Sequence, residues 1–247
     1  MRLAALIALA FAIPASAGEV YLENFDKGSG GWVANRYHPL PIFDGVAYCH
    51  GPWYLDSHHA PPGAGYLNML MYLYTKGANL PPDHIGRKGN AFLDRKMSTN
   101  LLNAKLTARL RGKMDMQGAQ MVLLVQGSTH GTTANFVLTG QPFRVTEEWS
   151  EQTIRLTPDP AQWTCLGARE SMKQRYGCAP IEAVLADVNV DIMFVLFPLK
   201  VVPVGDVKEP HKLRAGQDYP DEPSYEVQQK YLPKGLVMFD WVRIDYP

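Results

Sequence analysis

The side chains best equipped for chemistry are concentrated between Tyr37 and Arg87. Trp53, Tyr54, Asp56, His58 and His59 stand in one short run, with Tyr37 and His38 before it and Arg87 after it. Sugar rings present apolar C–H faces that stack on aromatic side chains, while their hydroxyls need hydrogen-bonding groups. Tyr37, His38, Trp53, Tyr54, Asp56, His58, His59 and Arg87 are therefore candidate ligand-binding residues for a poly- or oligosaccharide. The same set contains the parts for cleavage. A lyase needs a group that neutralises a uronate carboxylate and a base that removes the adjacent proton. Arg36 or Arg87 suits the first role, and His58, His59, Tyr54 or Tyr37 the second. A hydrolase would instead need two carboxylates at a mechanism-set separation, and no tight acidic motif is present. A transition metal is a further use of these groups. Asp56 and His58 share one side of an extended chain, with His38, His50 or His84 available to complete a site. Adjacent His58 and His59 point to opposite sides of such a chain. Solvated or hydrogen-bonded histidines account for the same residues without a metal.

Extended segments must hold these groups. Pro61-Pro62-Gly63-Ala64-Gly65 turns the chain directly after His59, because Pro fixes φ and Gly accepts positive φ. An apolar run from Tyr66 to Tyr74 follows and reads as a strand. Phe43 to Tyr48 reads as a turn and a strand, and further strands are predicted at Glu19 to Phe25, from Trp32, at Ala91 to Thr99, Ala104 to Arg111, Met121 to Gln126 and Thr132 to Thr139. Trp149 to Leu156, Val188 to Leu199 and Leu236 to Tyr246 complete the series. In Ala104 to Arg111, Leu106, Ala108 and Leu110 alternate with Lys105, Thr107, Arg109 and Arg111, the period of a half-buried strand. Pro180 to Ala186 is the best helix, with Pro at its start and Glu182 near its positive end. Lys76 to Asn90 and Pro160 to Ala179 read as loops. Pro203 to Pro233 reads as a long surface excursion, of a length usually reserved for function or mobility.

Composition and the ends of the chain narrow the setting. Arg2, the apolar stretch Leu3 to Ile13 and Ala15-Ser16-Ala17 form the three-part pattern of a secretory signal, so residues 1–17 are expected to be removed on export to the periplasm or beyond. The apolar stretch is shorter than the roughly 20 residues of a membrane span, and no later segment is expected to anchor the chain. Residues 18–247 are expected to form a single domain. Lys plus Arg and Asp plus Glu are each 24, giving a net charge of +0, and neither a nucleic-acid footprint nor a polybasic membrane patch is visible in the sequence. A hydrophobic content of 46% is enough for a large core. Of the three cysteines, Cys165 and Cys178 are the plausible pair in an oxidising compartment. The bridge would gain roughly 3 kcal/mol by restricting the unfolded chain. Cys49 is left as a buried, inert thiol. Gly-x-Ser-x-Gly, P-loop and dinucleotide motifs are missing from the sequence.

LENFDKGSGGW near the start, MFDWVRIDY at the end and EWSEQTIRL in between resemble the opening, closing and inner strands of secreted jelly-roll carbohydrate-binding proteins of the concanavalin A-like or galactose-binding-like kind. The resemblance reaches superfamily level and covers both ends and one inner strand. It implies an all-β jelly-roll sandwich of two antiparallel sheets with long loops and one or two short helices. It also implies a structural calcium ion near the first and last strands, at positions matched here by Glu23, Asp26 and Asp240; two or three carboxylates supply only part of the six to eight oxygens calcium takes. No other cofactor is expected. The sequence thus predicts an exported carbohydrate-recognising sandwich. A polysaccharide-cleaving enzyme using His58, His59 and Tyr54 is the alternative, and an envelope-associated structural or adhesion protein the third reading. Oligomeric state is left open by the sequence.

Overall fold

The computed structural model describes residues 19–34, 38–50, 54–56, 59, 63–76, 80–129, 131–206 and 226–247, with the backbone alone at 54–56. The predicted leader and residues 207–225 of the predicted excursion lie outside the described residues. In chain order the strands are β1 (Val20–Glu23), β2 (Trp32–Ala34), β3 (His38–Pro39), β4 (Ile42–Phe43), β5 (Val46–His50), β6 (Tyr54–Asp56) and β7 (Tyr66–Tyr74). They continue as β8 (Lys105–Asp115), β9 (Gln120–Thr129), β10 (Thr132–Val137), β11 (Ser150–Arg155), β12 (Thr164–Cys165), β13 (Tyr176–Gly177), β14 (Asp191–Leu199) and β15 (Lys234–Asp245). Among the described residues there are two short α-helices, α1 (Ala91–Asp94) and α2 (Ile181–Ala186).

The strands make two sheets, the β-sandwich that the sequence predicts. The smaller runs β11-β8-β15-β5-β4, with β1 also on β15. The larger runs β12-β10-β9-β14-β7-β2-β3, with β13 on β10 and β6 on β7. The pairings are antiparallel except for β13 on β10. Between the sheets lies the main core. Its centre is Phe194 of β14, whose ring meets Trp32 of β2, Phe143 and Phe239 of β15 at centroid distances of 5.8, 5.3 and 4.7 Å. On β1 the buried side chains are Tyr21 and Glu23, and Leu22 on the opposite face is 47% exposed. Tyr21 accepts a hydrogen bond from Trp32 Nε1 at 2.9 Å, which satisfies both polar tips inside the core.

The larger sheet is buried on both faces. On β14, Ile192, Phe194 and Leu196 enter the main core, while Met193, Val195 and Phe197 join Val122, Leu124, Val137, Tyr72 and Leu166 in a second apolar cluster outside the sheet. Strands covered on both sides read as unbroken apolar runs, and this is why β7, β9 and β14 show no alternation in sequence.

Two local outcomes differ in instructive ways. Pro180 to Ala186 becomes α2 as predicted, burying Ile181, Val184 and Leu185. Ala91 to Thr99, predicted as a strand, instead begins with α1. Asn90 decides this: its Oδ1 accepts from the Phe92 and Leu93 amides at 3.0 and 3.1 Å, a helix N-cap. Its Nδ2 donates to the carbonyls of Tyr74 and Gly86 at 3.0 and 2.8 Å, so the same side chain ties α1 to the end of β7. At the base of the excursion, Val204 N donates to Glu226 O and Gln228 N to Val202 O, both at 2.8 Å, and Val227 and Leu232 are buried. No helix of the described residues is long and apolar enough to cross a membrane.

Candidate functional site on the outer face of the larger sheet

The apolar rows on the outside of the larger sheet end in a polar one. Tyr74 of β7, Asp191 of β14, Gln126 of β9 and Asn135 of β10 stand directly opposite one another in register across four neighbouring strands. In sequence each closes or interrupts an apolar segment, so the row forms only once the strands are paired. One end of the Gln126 amide lies 3.0 and 3.1 Å from the two Asp191 carboxyl oxygens, and its other end lies 2.6 Å from the Asn135 amide. The far end of the Asn135 amide meets Nε2 of His59 at 2.5 Å. His59 is 2% exposed and its ring stands edge-on to Tyr176 of β13, with centroids 5.0 Å apart. At the opposite end Tyr74 stands edge-on to both Tyr72 and His84, at 5.4 and 5.5 Å. The result is one band: Tyr176, His59, Asn135, Gln126, Asp191, Tyr74 and His84.

Loops place the two ends of the band. Ala64 N donates to Leu166 O and Leu166 N to Asn135 O, each at 2.9 Å, which pins the segment after His59 against β10. Gly63 is required here, because a Cβ would fall 2.4 Å from His59 O and 2.6 Å from Leu166 O. The disulfide between Cys165 and Cys178, predicted from the sequence, closes the loop that carries Tyr176. At the other end, the Tyr74 ring lies on Gly86, where a Cβ would meet it at 2.4 Å.

Burial raises the Asp191 carboxyl well above its ordinary 3.8. The folded chain therefore holds a proton there that the unfolded chain releases, so stability falls as pH rises above the ordinary value toward the raised one. Among the described residues, Tyr74 stands opposite Asp191 in register, and Tyr72 and His84 pack against Tyr74. Asp191→Asn is expected to lose less melting temperature than the wild type as pH is raised above the ordinary carboxyl range. Glu23, also raised by burial, contributes a slope of the same sign in both proteins. Parallel curves would show that Asp191 does not bind this proton.

The structure gathers only part of the predicted set. His59 is in the band. Tyr54 and Asp56 lie on β6, paired with Met69 and Leu67 of β7. Tyr37, Trp53 and His58, as well as Arg36, lie outside the described residues. His38 is exposed on β3, paired with Ala34 beyond the far side of β7. Arg87 is exposed and turns back on its own loop, Nη1 donating to Leu80 O at 2.5 Å. His50 belongs to the smaller sheet, and His84 accepts from Gly86 N at 3.1 Å. Among the described residues no three His, Cys, Asp or Glu side chains are grouped to hold a metal ion. This applies to Glu23, Asp26 and Asp240 as well. Glu23 is buried and accepts from Phe25 N at 2.8 Å, Asp26 accepts from Asn24, and Asp240 is ion-paired with Arg109. Cys49 is the inert thiol expected, fully enclosed and with its ionisation pushed up by burial. Gln126, Asn135, Asp191, Tyr74 and Tyr176 are additions that the sequence reading missed.

No protein-family model matches the chain, and no curated protein matches it either. Among solved structures, a chain from work on endo-acting O-glycanases that prominent human gut microbes express to initiate mucin breakdown aligns with 95% of this chain and 94% of its own. The identity is 9% and the TM-score 0.32, a likeness too distant to carry an assignment.

Proposed function

We propose that this chain is an exported carbohydrate-recognising β-sandwich protein that binds a poly- or oligosaccharide along the outer face of its larger sheet. The observation that carries this reading is the band itself. Aromatic rings of Tyr72, Tyr74 and Tyr176 flank a row of amide and carboxyl groups held in register by four strands. The half-buried rings of Tyr74 and Tyr176 supply surfaces for sugar C–H faces, while the buried Asp191, Asn135 and His59 hold the row in place behind them. The overall charge of +0 suits recognition through such local contacts.

The test is size-exclusion chromatography of the mature protein with a panel of neutral and acidic polysaccharides. Co-elution with intact polymer is expected. Tyr74→Ala, checked for a retained fold by circular dichroism, is expected to weaken that binding by about tenfold or more. Unchanged affinity in the variant would remove Tyr74 from the site, and no co-elution with any polymer would sink the reading.

A second reading, polysaccharide lyase, is favoured by one observation. His59 is enclosed with an amide on one side and the Tyr176 ring on the other. β-Elimination calls for a base beside a group that stabilises charge on the substrate carboxylate. Smaller fragments absorbing in the near ultraviolet would select this reading over binding alone.

A further inference from the structure

The chain from Asp191 to His59 has a polarity. An amide group accepts at its oxygen and donates at its nitrogen, a neutral imidazole donates at one nitrogen and accepts at the other, and a carboxyl group donates only when protonated. Two complete arrangements satisfy the spacings between Asp191, Gln126, Asn135 and His59. With Asp191 ionised, the Gln126 NH2 donates to its carboxylate, the Asn135 NH2 donates to the Gln126 oxygen, and His59 Nε2–H donates to the Asn135 oxygen. With Asp191 neutral, its O–H donates to the Gln126 oxygen, the Gln126 NH2 to the Asn135 oxygen, and the Asn135 NH2 to the Nε2 lone pair of His59. The neutral imidazole then carries its proton on Nδ1. Any mixture of the two sets like ends of the two amides against each other at 2.6 Å or leaves a buried polar atom unmatched.

We propose that Asp191 is a positioning residue for His59: acting through the amides of Gln126 and Asn135, the proton on its carboxyl determines which imidazole nitrogen donates and which accepts. Asp191 never touches the ring. It sets the direction of two amides, and they present either a donor or an acceptor to Nε2. Burial of the carboxyl in the folded chain favours the neutral acid and hence the Nδ1–H form of His59. Among the described residues, titratable groups that face the relay include Tyr74 beside Asp191, Tyr72 and His84 against Tyr74, and Tyr176 against His59. The relay is a property of the protein without ligand, so it stands or falls separately from the carbohydrate reading. In the Nδ1–H form the Nε2 lone pair is engaged by Asn135 and the other ring nitrogen is a donor; in the Nε2–H form that nitrogen is an acceptor, so the carboxyl proton sets the character of the ring.

The experiment is long-range nitrogen–proton correlation NMR of the mature chain labelled with nitrogen-15, at a pH where the His59 imidazole is neutral. In the wild type the Nδ1–H form of His59 is expected to exceed the Nε2–H form by at least about tenfold. Gln126→Met keeps the bulk and cuts the relay, and the ratio is expected to fall toward unity. Asp191→Asn offers Gln126 a carbonyl oxygen as well as an NH2, so it no longer dictates one direction, and the ratio is expected to fall toward unity as in Gln126→Met. A wild-type ring protonated on Nε2, or an unchanged ratio in Gln126→Met or in Asp191→Asn, would each overturn the proposal. If Gln126→Met does not fold, the wild-type and Asp191→Asn spectra decide it between them. A purely structural role for Asp191 would alter melting temperature in these variants and leave the tautomer where it was.

Discussion

Phe194→Ala is expected to lower stability by about 3–5 kcal/mol, the range for removing a fully enclosed phenylalanine. The position justifies the upper half of that range. Its ring is shared by Trp32 of the larger sheet, Phe239 of the smaller one and Phe143 between them. None of these neighbours is free to collapse into the space. Trp32 is held by Tyr21 through its Nε1, and Phe239 is fixed in β15 between β8 and β5. For a chain of this size the change corresponds to a fall in melting temperature of about 10 °C or more, measured by calorimetry. Phe194→Leu should recover much of the loss, since it refills most of the volume. A drop below about 1 kcal/mol for the alanine variant would mean that the two sheets do not meet at this ring.

Loss of the disulfide is the second large effect. Cys165 and Cys178 are 13 residues apart, and a loop of that size contributes about 3 kcal/mol in the chain-entropy account. The bridge also joins two strands that pair with one another only through β10. β12 lies antiparallel to β10 at Phe136 and Val137, and β13 lies parallel to it at Thr133 and Ala134. Two-residue strands of this kind have little pairing energy of their own. In the Cys165→Ser, Cys178→Ser double variant, melting temperature is expected to fall by about 6–12 °C. Reductant should reproduce the drop in the wild type and add nothing to the variant. Equal melting curves with and without reductant would show the bridge to be energetically silent. Because β13 carries Tyr176, the variant should also loosen the ring that faces His59.

Much of the architecture was legible because it depends on patterns within single segments. The alternation in Ala104 to Arg111 becomes β8, and the apolar runs become β7, β9 and β14. Pro180 with Glu182 marks α2, and two cysteines at short range mark the disulfide. The error at α1 has a local cause. Ala91-Phe92-Leu93 is apolar enough for a strand, and the capping role of Asn90 was the signal to read instead. The site was less legible. His59 stood out because it lay in a polar, aromatic turn. Asp191, Gln126 and Asn135 did not, since each is a single polar residue attached to an apolar strand and acquires meaning only from register. Register is set by pairing across the whole sheet, which no local pattern discloses. The one readable trace was the polar residue itself, at the edge of a run that burial should have kept apolar.

β1 and β15 lie side by side with their outer ends together: Val20 faces Asp245, and Tyr246 N donates to Glu19 O just beyond. Tension applied through residues near 19 and 246 would therefore act on one rung at a time, as in opening a zip, instead of being shared along the ladder. The first strand should peel away at low force. It would take Tyr21 out of contact with Trp32 and leave β15 still clasped along its length by β8. Tethered at both ends to a stretched matrix, such a domain would yield first at this corner, while the polar band on the far sheet stayed intact.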